Sequence, residues 1–343
     1  MAPDFSYLAL PLQTRCRAVN AARTVEEARE LMAATIERLA GQIGSSKGFI
    51  GPDCRLVVLP EYFLTGFPLG DPIPAWRDKA CLEIGGPEYE SLSGIAQQNG
   101  IFLGGNVYEQ DPDFPDLYFQ TCFIIDPSGN VVLRYRRLNS MFAPTPHDVW
   151  DRYLDLHGLE GVFPVARTAI GNLAAVASEE ILYPEVARCL AMRGAEVFIH
   201  PTSQTNELVR APKEIAAQAR AMENTAYVVS ANSAGIRGTP LPAESADGGS
   251  KVVDYKGLVL ARAGQGETMS AYAQVDLAAL RKYRRRPGME NMLARQRFEL
   301  YAKSYADHSF YPPNTMLDRA PERKDFLENQ LATIRKLARE EII

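Results

Sequence analysis

The chain has 343 residues, 46% of them hydrophobic and 23% charged, with a formal net charge of −5. That length and apolar content suffice for a large buried core, and the negative balance argues against a nucleic-acid partner. There is no apolar run of about 18 residues to span a membrane, and the opening MAPDFSYLALPLQTR lacks the basic and apolar regions of a signal peptide, so a cytoplasmic protein is expected. Five cysteines without a Cys-x-x-Cys pair, and four scattered histidines (His147, His157, His200, His308), speak against a disulfide framework or a zinc site. Neither a metal nor another cofactor is expected.

Apolar, β-rich runs alternate with helical patterns, and no low-complexity linker divides them, which predicts one α/β domain. Residues 7–13 read as the first strand. Thr24 and Glu27 make a capping-box pattern ahead of Ala28, Leu31, Met32, Ile36, Leu39 and Ile43 at helical spacing. The strand 55–60 follows and delivers Glu61. A helix over about 87–98 precedes strands at 101–107, 118–125 and 131–135, the last two joined by a tight turn at 126–130. The stretch AAVASEEILYPEVAR, residues 174–188, begins as a strand, bends at Ser178 and enters a helix opened by Pro184. Strand 195–200, helix 215–223, strand 227–232 and short strands at 252–255, 259–262 and 271–275 complete a domain over 1–285. The extension 286–343 carries Phe326, Leu327, Leu331, Ile334 and Leu337 at helical spacing, a stripe suited to packing on the domain or on a partner subunit.

Polar residues end apolar strands at Glu61, Arg137 and Ser178, where side chains converge on a cleft in α/β proteins. Each also has an ordinary reading: a turn cap for Glu61, a solvated charge for Arg137, a turn serine for Ser178. Cys189, inside the helix after Pro184, reads as a structural thiol. The basic run at 281–286 reads as solvated or as a subunit contact.

Taken together, the ordered blocks VVLPEYFLTGFP, LRYRRLN, ASEEILYPEVARCLAMRGAEVFIHPTS, QARAMENTAYVVSANSAG, GGSKVVDYKGLVLARAGQGE and AYAQVDLAALRKYR resemble the nitrilase, or carbon–nitrogen hydrolase, superfamily. The resemblance covers the chain to about residue 285. It implies a nitrilase-like α-β-β-α sandwich, a small-molecule substrate or ligand, and a homodimer or higher homo-oligomer. It also implies a Glu-Lys-Cys triad on three strand ends, of which this chain keeps Glu61 and carries Arg137 for the lysine and Ser178 for the cysteine. Tyr62, Glu179 and Glu180 fall beside those positions and are expected to face the substrate. Asp148 and Asp151 lie near a place where the family often has an auxiliary acidic residue, and the spacing does not choose between them.

The two departures change the chemistry. A serine hydroxyl needs a well-placed base where a thiol ionises readily, and arginine presents a planar fork that favours carboxylates where lysine presents a point charge. Arg137 is therefore expected to clamp Glu61. Two readings stay open: a hydrolase of a small amide or related non-peptide carbon–nitrogen bond using an altered Glu61–Arg137–Ser178 set, or an inactive relative that binds a polar ligand or serves as an assembly subunit.

Overall fold

The structure is a computed structural model that describes residues 5–205, 212–317 and 321–343. Its strands, in chain order, are β1 (Ser6–Pro11), β2 (Cys16–Arg17), β3 (Cys54–Val58), β4 (Phe102–Gln110), β5 (Tyr118–Ile125), β6 (Val131–Arg136), β7 (Ala166–Thr168), β8 (Gly171–Ala175), β9 (Val197–Pro201), β10 (Tyr227–Ala231), β11 (Ile236–Arg237), β12 (Lys251–Val253), β13 (Val259–Arg262) and β14 (Ala273–Asp276). The helices are α1 (Val25–Ile50), α2 (Ile73–Ala80), α3 (Pro87–Asn99), α4 (Trp150–Val162), α5 (Pro184–Met192), α6 (Pro212–Asn224), α7 (Leu277–Arg284), α8 (Glu299–Ala306) and α9 (Arg323–Arg339). No helix among the described residues is long and apolar enough to cross a membrane.

Two six-stranded sheets carry the fold, in the orders β14-β1-β3-β4-β5-β6 and β13-β12-β10-β9-β8-β7. Side chains alternate across a strand, so one sheet can feed two cores. Leu10, Val57, Leu103 and Phe123 point toward α1, α2 and α3, packing with Met32, Leu39, Trp76 and Leu92. Their neighbours Ala9, Leu56, Val58 and Ile124 face the second sheet, whose Leu173, Val197, Ile199 and Val229 share a core with Val186 and Leu190 of α5 and Ala217 and Ala221 of α6. The layers therefore run α-β-β-α, as the resemblance implied. Met32, Leu39 and Ile43 of α1 are wholly buried, each stabilising the layer by about 1.5–3 kcal/mol. The α1 N-terminus forms as its sequence predicts, with the Thr24 side chain accepting from the Glu27 N–H at 3.2 Å. Leu31, expected among its core positions, is 40% exposed, at the edge of the apolar stripe.

Strand direction places the site. β1, β3 and β4 are parallel, as are β8, β9 and β10. β5 and β6 each reverse direction relative to the strand before, so β6 ends at the same edge as β3. Glu61, Arg137, Ser178 and Ser203 thus all follow carboxyl-terminal strand ends, where open α/β sheets form clefts.

The extension docks through its last helix. Phe326 is buried in the helix-side core, and Arg323 donates to the backbone oxygen of Asp71, to the Tyr118 hydroxyl and to the Phe142 carbonyl. The predicted apolar stripe divides: Phe326 faces inward, whereas Leu327, Leu331 and Ile334 remain exposed. The basic run at 281–286 departs from its solvated reading. Arg281 makes a two-toothed contact with Glu196, at 2.7 and 2.9 Å, and Arg284 donates to the carbonyls of Ala195, Asn224 and Thr225. Both tie α7 to the edge of the second sheet.

Candidate active site

Ser178 lies just beyond β8, where the chain leaves the sheet in one turn of 3-10 helix (Ser178–Leu182) before Pro184 opens α5. It is 3% exposed, with φ +48. A left-handed conformation is costly for a residue with a Cβ, and such strain persists only when its surroundings hold it. His200 does part of the holding: its Nε2 donates to the Ser178 carbonyl at 2.8 Å, while Nδ1 sits 2.8 Å from Ser230 Oγ. With Nε2 as donor, Nδ1 accepts the Ser230 hydroxyl. Burial pushes the His200 pKa down to about 3, against the pull of the Ser178 carbonyl, so the imidazole is neutral at ordinary pH.

Glu61 and Arg137 meet, as expected. Arg137 Nη1 is 3.3 Å from Glu61 Oε1 and donates to Gln120 Oε1 at 2.7 Å, and its Nε donates to the Asn139 carbonyl at 2.7 Å. Its Nη2 is ion-paired with Glu179. Burial opposes the guanidinium charge, but Glu61 and Glu179 more than offset it and hold the pKa above its ordinary value. Glu61 also accepts from Gln120 Nε2 at 2.8 Å and from the Ser203 N–H at 3.0 Å. Gln120, Arg137 and the Ser203 N–H therefore converge on one buried carboxylate.

Of the residues expected to face a substrate, Glu179 is 38% exposed at its side chain and lines a cavity of about 440 Å³ with Asn139, Tyr183, His147 and Tyr311. Tyr62, at φ +63, lines a second cavity of about 280 Å³ with Ser203 and Gln204. Burial, and then Glu61 beside it, push the Tyr62 phenol well up, so it stays protonated. Glu180 is turned inward and wholly buried. Its carboxylate accepts from the Tyr135 hydroxyl at 2.7 Å and from the N–H groups of Leu138 and Asn139 at 2.8 and 2.9 Å. Its contacts are thus with the segment that carries Arg137. Asp148 caps the turn at Thr145 and accepts from Thr315 Oγ1 at 2.8 Å, anchoring the extension, whereas Asp151 accompanies it only through a backbone contact to Asn314.

A model of the carbon-nitrogen hydrolase family matches residues 13–285. The chain belongs to that family. Similar family members include an omega-amidase of Xenopus tropicalis, 27% identical over 67% of this chain and 79% of its own. A formamidase of Bacillus thuringiensis is 28% identical over 62% of this chain and 60% of its own. Among solved structures, the fold is shared with Nit3 of Saccharomyces cerevisiae, with a TM-score of 0.62, 22% identity and coverage of 81% and 93%. It is shared too with a carbon-nitrogen hydrolase of Helicobacter pylori, with a TM-score of 0.65, 22% identity and coverage of 87% and 98%.

Sequence reasoning missed Lys213, Gln120, Ser203 and His200. Lys213, the second residue of α6, puts Nζ 3.0 Å from Ser178 Oγ. The predicted helix began at 215, which left this lysine outside any element. Gln120 sits in a wholly buried strand, where an amide side chain among mostly apolar neighbours was the available signal. His200 was weighed only as a metal ligand.

Proposed function

We propose that this carbon–nitrogen hydrolase family member cleaves the carbon–nitrogen bond of a small amide through an acyl intermediate on Ser178. The observation that carries the reading is the serine itself: a hydroxyl on a strained left-handed turn at a strand end, the kind of place where α/β enzymes hold a nucleophile. Attack on the amide carbonyl forms the Oγ–C bond, collapse expels the amine, and water then releases the acid. Glu179, held by Arg137, supplies a charged group that orients the polar end of the substrate. Glu180 sets Arg137 in place by fixing the chain at 138 and 139. The omega-amidase and formamidase relatives favour a small acyl group over a polymer.

A second reading, a relative that binds a polar ligand without cleaving it, is favoured by one observation. The Arg137 fork is already engaged by Glu61, Gln120, Glu179 and Asn139, which leaves it poorly placed to receive a developing oxyanion. A turnover screen of small amides and nitriles, run beside calorimetric binding, separates the two. Hydrolysis abolished by Ser178→Ala supports the enzyme; binding without turnover across the screen supports the ligand-binding relative. We also infer a homodimer, supported by exposed Leu300, Tyr301 and Tyr305 on α8. Light scattering that returns a monomer at micromolar concentration contradicts it.

A further inference from the structure

Lys213 reaches into the site from α6. Besides Ser178 Oγ at 3.0 Å, its Nζ lies 3.4 Å from Thr202 Oγ1 and 3.3 Å from the Ser203 carbonyl. All three are neutral oxygens, an unusual set for an ammonium, which ordinarily sits in water or against a carboxylate. Among the described residues, the charged groups around it are Glu61 after β3, Arg137 after β6 and Glu179 after β8, and His200 on β9 is neutral. Burial lowers the Lys213 pKa and Arg137 adds to the effect, while Glu61 and Glu179 act against it.

The geometry points to Lys213 as the base that activates Ser178 and the acid that protonates the leaving nitrogen, a role that rests on Ser178 being the nucleophile. Glu61 is poorly suited to the task because Gln120, Arg137 and the Ser203 N–H occupy its acceptor positions. In the step, neutral Nζ takes the proton from Ser178 Oγ as the Oγ–C bond forms and the carbonyl π pair moves to oxygen. Collapse of that oxyanion breaks the C–N bond, and the ammonium of Lys213 gives its proton to the departing nitrogen. Water then attacks the ester and passes a proton to Nζ. The second collapse breaks the C–Oγ bond, and Oγ recovers its proton from Lys213. Amide and water become acid and amine, and both residues return to their starting states. A lysine amine can activate a serine because burial favours its neutral form, the direction in which burial moves Lys213.

The test uses a fluorophosphonate probe, which forms a Ser–O–P bond with loss of fluoride, followed by peptide mass spectrometry across pH 5–10 (roughly the range over which a displaced lysine titrates). The expected result is labelling of Ser178 that rises with pH to a plateau, with a midpoint below that of an ordinary lysine. Lys213→Gln slows labelling by about 100-fold or more and removes the pH limb, as general-base loss does. Lys213→Arg keeps the charge and a donor but cannot give up its proton, so it is equally slow. Thermal melts of both variants confirm folding, and ethylamine restores labelling to Lys213→Ala. If Ser178 is labelled in the native protein but both variants keep the native rate and pH profile, the lysine role is overturned while the nucleophile stands. If the native Ser178 is never labelled, the nucleophile fails and the lysine role falls with it.

Discussion

Arg137 and Lys213 bring basic groups to the same cluster of strand ends under opposite conditions. The arginine is buried between Glu61 and Glu179, with Gln120 and a backbone carbonyl taking its other donors. The lysine rests on two hydroxyls and a carbonyl, beside a serine held in a left-handed turn. Paired carboxylates fix a charge in place, whereas neutral oxygens in a half-buried setting leave it free to be given up. One side of the site therefore holds its geometry, and the other is the side we propose moves a proton.

The largest effect is expected on the mobile side. Ser178→Ala removes one hydroxyl and little packing, and should lower turnover of any amide substrate by about a thousandfold or more while ligand affinity stays near native by calorimetry. Residual turnover close to native would move the attack to water. On the fixed side, Arg137→Met leaves Glu61 and Glu179 without their shared cation. Breaking such a buried pair should cost about 3–5 kcal/mol in urea unfolding. A small loss there would mean that water, not Arg137, neutralises the two carboxylates.

The turn at Ser178 also has its own pH signature. His200 titrates near 3 in the folded protein against 6.5 ordinarily, so between those values the unfolded chain binds a proton that the folded chain does not. Stability contributed by neutral His200 is thus fully present above about pH 6.5 and falls as the pH drops, by about 2 kcal/mol between pH 7 and pH 5. His200→Gln should flatten that part of the stability curve; an unchanged slope would show that the imidazole is not the group that titrates. The smallest effect belongs to Arg137→Lys, which keeps the charge and loses the fork. Chemical denaturation should register a loss of about 1.5 kcal/mol, the order of one charge-assisted hydrogen bond, and no loss would mean that the fork geometry is dispensable.

How far the sequence revealed each side follows from the range of the interactions. The sandwich was legible because alternation along Leu56, Val57 and Val58, and the helical spacing of Met32, Ile36 and Leu39, are local patterns. The Glu61–Arg137 pair was legible because both residues end apolar strands and their forms are complementary. Glu180 was expected against a ligand and is instead enclosed by Tyr135, Leu138 and Asn139, since a strand-end acid can face either the cleft or the chain beside it. Lys213 gave no local signal: its meaning comes from a contact with a residue 35 positions earlier, made only when α6 packs over the turn after β8. Gln120 offered only a polar side chain within a buried strand, because its partners come from β4 and from the ends of β3 and β6.

Ser178 is proposed to carry the acyl group while a small amide is cleaved. Rapid acid quench during turnover of an amide found in the screen, followed by peptide mass mapping, tests it directly. One acyl group is expected on the peptide bearing Ser178, formed and lost at rates matching turnover and missing in Ser178→Ala. Turnover that proceeds with that peptide unmodified at every time point, and that survives Ser178→Ala, would contradict it.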